Sequence, residues 1–480
     1  MTPSIILEIL KNWWWFFLPV ILYFPARFLY IWWIRWEVWY KKSKWILIEV
    51  TPPREILKPF RAMENIFSIM WGVYDSANWR ERNCEGQLTN GPYWFSCEIA
   101  SLGGEIHFFM RILTEWRDLA ESTIYSQYPD AEIRVIDDYT QNVPQDIPNK
   151  EWDMYGEDYS LLKEDSYPIK TYSMFFEEKP EVVKEEKRLD PISSILEAYA
   201  SLKPTEQFWL QIVAAPITDR DTPFVTRGRE LADRIARRKE PSGPPLFGWL
   251  ARLIGDVGDL TIRGKPLPEE VEEEKKHEEI IPPEMKLTPG EREILKGIEN
   301  KISKPSFKTW IRGIYLFQKE CPRSAGSHKI ARSYFNQFMT QDMNALLYWG
   351  PTRTKIHYWF RDRRLFMRKR KQFKSYVERL PSYFPWNPNG EPLPILRLIR
   401  YPLGPGIKGT VVLNTEELAT IYHFPSKVTI PTMPYVEAKK AGPPSALPIE
   451  EKAAPPTLPG AKKPGPPSQE MPVGGKPGEE

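Results

Sequence analysis

The sequence predicts an α+β protein with one transmembrane helix near its N-terminus and a disordered Pro-rich tail at its other end. Three observations predict it. Residues 13–34 are almost wholly apolar or aromatic, the order strand-helix-strand-strand-helix-strand can be read from residue 45 onward, and the last stretch is Pro, Gly, Ala, Lys and Glu.

The chain has 480 residues, 41% of them hydrophobic, enough for a sizeable core in two or three domains. Its net charge of +3 says nothing about partners, so local clusters of charge matter more. Cys84, Cys97 and Cys321 include no C-x-x-C pair, which argues against a disulfide framework or a zinc site of ordinary spacing. Reduced thiols in a cytoplasmic body fit best.

The anchor is expected over 1–44. The run WWWFFLPVILYFPARFLYIWWI at 13–34 is interrupted by only one charge, Arg27, and is long enough for a bilayer core. Trp13, Trp14 and Trp15 stand at one end and Trp32 and Trp33 at the other, where interfacial aromatic belts belong. No small-residue cleavage site follows, which argues against a signal peptide. Pro19, Pro25 and Arg27 leave an in-plane interfacial helix as the alternative. Arg27, Arg35, Lys41, Lys42 and Lys44 lie downstream against Lys11 upstream, so the expected state is single-pass in the inner, cytoplasmic membrane with the body in the cytoplasm.

In the body, 45–51 (WILIEVT) alternates as a strand, and 55–74 spaces Ile56, Phe60, Met63, Ile66, Phe67, Met70 and Tyr74 as a helix. Strands at 93–101 and 105–112 flank Gly103-Gly104, a hairpin signal. A helix capped at Thr114 and a strand at 131–136 complete β-α-β-β-α-β, the ferredoxin-like pattern, as domain 45–140. A second such series is expected over 150–350. Its strands are placed at 169–176, 208–215, 307–317 and 345–349, its helices at 191–199, 291–302 and 327–340, and its insertion at about 218–290. Residues 351–440 form a basic aromatic segment and C-terminal extension, with a short helix at 414–422. Residues 441–480 bury too little apolar surface to offset their ordering entropy and are expected to be disordered.

No phosphate-binding loop, G-x-S-x-G elbow or H-E-x-x-H pair occurs, and the glycines at 404–409 have the wrong spacing for a nucleotide loop. The five histidines are scattered. The expectation is no enzyme, no cofactor and no metal. One cluster stands out. Residues 353–379 hold 11 basic and 2 acidic side chains with interleaved aromatics, and Arg361, Arg363, Arg364, Arg368, Lys369, Arg370, Lys371 and Lys374 are the candidate anion-binding residues. Such a segment can neutralise nucleic-acid phosphates, rest on anionic lipid, or be a helix whose aromatics pack inward and whose basic face is solvated.

Several stretches resemble a known family when taken together: 55–64 (EILKPFRAME), 94–109 (WFSCEIASLGGEIHFF), 125–132 (YSQYPDAE), 204–217 (PTEQFWLQIVAAPI), 361–371, 413–425 (LNTEELATIYHFP) and 437–447 (EAKKAGPPSAL). The chain resembles the N-terminal membrane-proximal region of large bacterial proteins related to type IV secretion and conjugation ATPases. In those, a motor with its phosphate-binding loop follows the segment equivalent to 413–447, whereas here a Pro-rich tail follows. The resemblance therefore implies a non-enzymatic anchored accessory component, with a motor ATPase or another secretion subunit as partner on a separate chain. A tethered nucleic-acid-binding protein using 353–379 is the alternative.

Overall fold

The alternating run that opens the body forms β1 (Trp45–Thr51), with Ile48 and Val50 in the core. In α1 (Pro59–Met70), Phe60, Met63, Ile66, Phe67 and Met70 make one buried stripe, and Pro59 takes an end position where its missing N–H is harmless. β2 (Phe95–Leu102) and β3 (Glu105–Leu113) pair as a hairpin. Gly103 and Gly104 turn it with φ of 66° and 99°, a doubly left-handed turn that matches strand twist and suits glycine. α2 (Arg117–Gln127) and β4 (Glu132–Ile136) follow.

Next come β5 (Trp152–Leu161), α3 (Ser193–Ala200), β6 (Glu206–Ile217), α4 (Phe224–Ile235), α5 (Pro289–Ser303), β7 (Ser306–Gln318), α6 (Ile330–Asn336) and β8 (Leu346–Tyr348). The last are α7 (Arg361–Val377), β9 (Val411–Asn414) and α8 (Thr415–Ile421), which Asn414 and Glu417 open with a reciprocal capping box. This computed structural model describes residues 15–436, apart from 16–17, 20–21, 24, 28, 31–32, 57, 76–77, 82–83, 85–93, 176–189, 221, 237–286, 322–323, 325, 351, 357–359, 381–409 and 429. The described elements belong to one compact unit that ends at Ala438. The Pro-rich tail, Trp13, Trp14 and Trp32 lie outside the described residues, as does most of the expected insertion.

Among the described residues the nine strands make one antiparallel sheet in the order β4-β1-β3-β2-β6-β7-β5-β8, with β9 beside the first residues of β7. The chain is thus α+β, as expected. The seam is the β2–β6 pairing, where Glu98 faces Gln211 and Ile99 faces Leu210. Outward from that seam each side repeats one order: second, third, first and fourth strand of its half.

One strand expectation fails. Residues 169–176 do not start the second series; Tyr172–Phe175 is a helical turn, and Ile169 packs into the core from a loop. The first strand of that half is β5, whose interior polar residues hide it from the hydrophobic pattern. Asp158 pairs with Arg312 at 2.7 Å, and Glu157 meets Arg332 and Arg353. A strand whose carboxylates point inward lacks the alternation that marks a half-buried strand.

α1, α2, α3, α6 and α8 cover one face of the sheet, closing the largest core around Phe95, Phe108, Leu210, Ile311 and Tyr315. On the opposite face Phe373 and Tyr376 of α7 pack against Leu47, Phe109, Trp209 and Ile314. Near the N-terminus every described residue from Trp15 to Trp33 is helical and exposed. Among the described residues no helix is long and apolar enough to cross a membrane. That stretch continues through Ile34–Trp39 and Tyr40–Lys42, where Tyr40 stacks on Trp94 at 5.5 Å.

Candidate anionic-surface site

The basic segment becomes helical because Arg361–Val377 holds strong helix formers and neither Gly nor Pro. Asp362 in its first turn and Lys374 in its last complement the helix dipole. Its two ends have opposite surroundings.

The C-terminal end is anchored. Gln372 crosses β5 at Gly156: with its amide nitrogen toward Gly156 O and its oxygen toward Glu157 N, both contacts are 3.2 Å. The helix stops in a Schellman arrangement, Arg379 N donating to Tyr376 O at 3.0 Å and Leu380 N to Ser375 O at 2.9 Å. The left-handed position that closes such a stop is usually glycine; here it is Arg379, with φ of 53°. A non-glycine residue there costs roughly 1–3 kcal/mol and persists only where its surroundings hold it.

They do hold it. The Arg379 guanidinium is buried under the sheet, its Nε 3.0 Å from Glu98 Oε1 and its Nη2 3.0 Å from Asp138 Oδ1, while Nη1 also meets Asp138. Glu98 further accepts from Ser96 Oγ at 2.7 Å, Tyr139 OH at 2.7 Å and Gln211 Nε2 at 3.0 Å. Burial pushes the Glu98 carboxyl up, but the Arg379 charge and these hydrogen bonds outweigh it and hold the group below its ordinary value. Asp138 is lowered for the same reason, again against the pull of burial. Burial, and after it the neighbouring Glu98 charge, raises the hydroxyls of Tyr139 and Tyr376 well above theirs. Glu98 already receives hydrogen bonds from four side chains and is fully buried, which makes this cluster a structural lock at the seam.

The same lock fastens neighbouring pieces. Arg312 Nη2 donates to Leu380 O at 3.0 Å, Gln211 Nε2 to Tyr376 O at 3.2 Å, and Tyr40 OH to Glu378 O at 2.7 Å. The carbonyls of Tyr376 and Glu378, at the helix end, thereby gain side-chain donors. The N-terminal helical stretch and α7 meet on one face of the sheet.

One side of α7 is open along most of its length. Arg361, Arg363, Arg364, Arg370, Lys371 and Lys374 are exposed. Arg368 and Lys369 turn back instead: Arg368 Nη1 donates to Arg353 O at 2.8 Å, and Lys369 Nζ lies 2.6 Å from Asp153. The structure therefore splits the eight candidates and buries Arg379, which the sequence places in the same basic run. The aromatics divide too. Phe373 and Tyr376 are core, Phe366 is 44% exposed and Phe360 is 81% exposed, and Tyr358 and Trp359 lie outside the described residues. Of the expected anchor tryptophans, Trp15 and Trp33 are helical and exposed.

Two other polar clusters are structural by their contacts. His423 Nε2 is 2.8 Å from Asp190 and Nδ1 3.0 Å from Ala419 O, with the Phe60 ring tilted against it at 4.1 Å between centres. Asp190 also accepts from Ser426 N and Ile192 N, so the pair ties the chain after α8 to the start of α3. Lys301 and Glu417 form a wholly buried pair at 3.0 Å. Among the described residues no group of three or more His, Cys, Asp or Glu is placed to hold a metal ion. The lock around Glu98 had one sequence signal, a glutamate inside the apolar strand 93–101, which in a buried sheet calls for a cation.

No family model matches this chain, and no curated protein or solved structure is significantly similar to it.

Proposed function

We propose that this chain is a non-enzymatic, membrane-anchored accessory component of a type IV secretion-like or DNA-transfer machine. Its body stands on the cytoplasmic side of the inner membrane and offers its broad sheet and helical layer to a separate motor ATPase or a neighbouring subunit. The machine and partner rest on the sequence resemblance. The observation that carries the anchor is the N-terminal helical stretch, which exposes Trp15, Leu18, Leu22, Tyr23, Leu29, Tyr30 and Trp33 and is then tied into the body at Tyr40. So much apolar surface in water is unfavourable by about 25 cal/mol per Å², and a bilayer removes that cost.

In fold terms we read the sheet as two ferredoxin-like halves joined edge to edge through β2 and β6. The strand order on either side of the seam supports this reading. The second half departs from the pattern where α4 and α5 replace a hairpin between β6 and β7.

A second reading, a membrane-tethered nucleic-acid-binding protein, is favoured by the exposed arginines of α7. The anchor is tested with the full chain in cells. It is expected to stay in the membrane fraction through alkaline carbonate. Its exposed Cys84 should react with an impermeant maleimide only after the cells are opened. Release by carbonate, or labelling of Cys84 in intact cells, overturns the reading.

A further inference from the structure

We propose that the outward stripe of α7, made by Arg363, Phe366, Met367, Arg370, Lys371 and Lys374, is a second membrane contact that lies along an anionic phospholipid surface. The inference rests on the anchoring proposed above and adds the element that would seat the body on the leaflet.

These six residues recur at i, i+3, i+4, i+7, i+8 and i+11, so they share one face of the helix over about 17 Å. Gln372, Phe373 and Tyr376, which grip the sheet, centre on a direction about 140° further round the helix, and Phe366, seven residues before Phe373, stands at the border between the two sides. All six are exposed, and the two apolar members are conspicuous: Phe366 at 44% and Met367 at 54%. The Arg370 guanidinium lies 5.4 Å from the Phe366 ring centre, over an apolar strip flanked by cations. Apolar side chains between Lys and Arg suit a headgroup boundary, where the rings and thioether enter the acyl edge while the cations meet phosphates.

A nucleic acid uses this face less completely. Its phosphates would take the cations, and a base could stack on Phe366, but Met367 offers neither charge nor a flat ring. Continuity with the anchor points the same way. The Tyr40 hydroxyl holds the C-terminal end of α7, and Tyr40 packs in the cluster of Trp45, Trp94, Trp310 and Leu380 on that same sheet face. The element that emerges from the proposed anchor is thereby fixed against the helix that carries the stripe.

The test uses the full chain reconstituted into vesicles, with benzoylphenylalanine at position 366. One set of vesicles is phosphatidylcholine alone and the other contains phosphatidylglycerol, both with a duplex oligonucleotide outside. Irradiation is expected to link position 366 to phospholipid, at least about fivefold more in the anionic vesicles, because each cation near the surface contributes about that factor. Replacing Arg363, Arg370, Lys371 and Lys374 with Gln should remove the difference, and the same probe at Tyr125, on the opposite helical layer, should not link to lipid. Equal lipid yields in the two vesicles, or linkage to the oligonucleotide in place of lipid, overturns the proposal while leaving the anchor intact. A chain that carbonate strips from both vesicles sinks the anchoring reading itself.

Discussion

Arg363 and Arg379 come from the same basic run, yet one is exposed and the other is 1% exposed. The difference lies in what stands behind each position. Past the C-terminal end of α7, the sheet presents Glu98 and the neighbouring Asp138, and a buried guanidinium is stable because two carboxylates and several dipoles replace its water. Near the N-terminal end Arg363 is exposed, and its charge needs no buried counterpart. A charged residue type therefore does not announce its role; the groups the fold brings to it do.

The comparison is broken most readily at Arg379. Arg379→Ala leaves Glu98 buried beside an empty site and should cost about 3–5 kcal/mol in denaturant unfolding of the full chain in detergent. Glu98→Gln combined with Arg379→Met should recover part of that loss, since no unpaired charge remains. A cost for Arg379→Ala below about 1 kcal/mol would place the guanidinium in water and erase the contrast. Phe373→Ala should cost about 3 kcal/mol through loss of its packing on Trp209, whereas Phe366→Ala should change stability by less than about 0.5 kcal/mol.

A smaller effect follows from acid. Glu98 and Asp138 are held below their ordinary values of 4.5 and 3.8, so between the folded and unfolded values the folded state binds fewer protons. Their contribution is complete above the unfolded values and is lost as pH falls through the lower folded ones. The acid slope of unfolding should therefore be shallower in the Glu98→Gln, Arg379→Met variant; an unchanged slope would remove these carboxylates from the account. The smallest expected change belongs to Arg363, Arg364, Arg370 and Lys374 replaced together by Gln, within about 0.5 kcal/mol of the parent. A larger loss would mean that the open side of α7 is also packed.

Local features of the sequence are read well because their causes are local. The alternation of 45–51, the apolar stripe of α1, the Gly103-Gly104 turn and the short helix from 414 each depend on residues within one or two turns of chain. The basic run is legible as charge, but a helix whose aromatics pack inward is only one of the three readings that run allows. What the linear pattern leaves open is which turn of that helix meets the core. Phe366 and Phe373 have the same side chain and opposite fates, decided by where α7 crosses β5 and β6.

Tertiary structure alone decided three matters. It placed β5 in the sheet, because its carboxylates find Arg312, Arg332 and Arg353 from distant parts of the chain. It joined β2 to β6, a pairing between strands about a hundred residues apart for which neither strand carries a local signal. And it drew Arg379 under the sheet in a left-handed conformation that an isolated chain disfavours, since only the assembled pocket of Glu98, Asp138, Tyr139 and Tyr376 offers interactions strong enough to hold it there. The sequence by itself determined the elements and the charges they carry. Which charges turn inward was settled by partners distant in sequence, because burying a charge is favourable only where the fold supplies an opposite one.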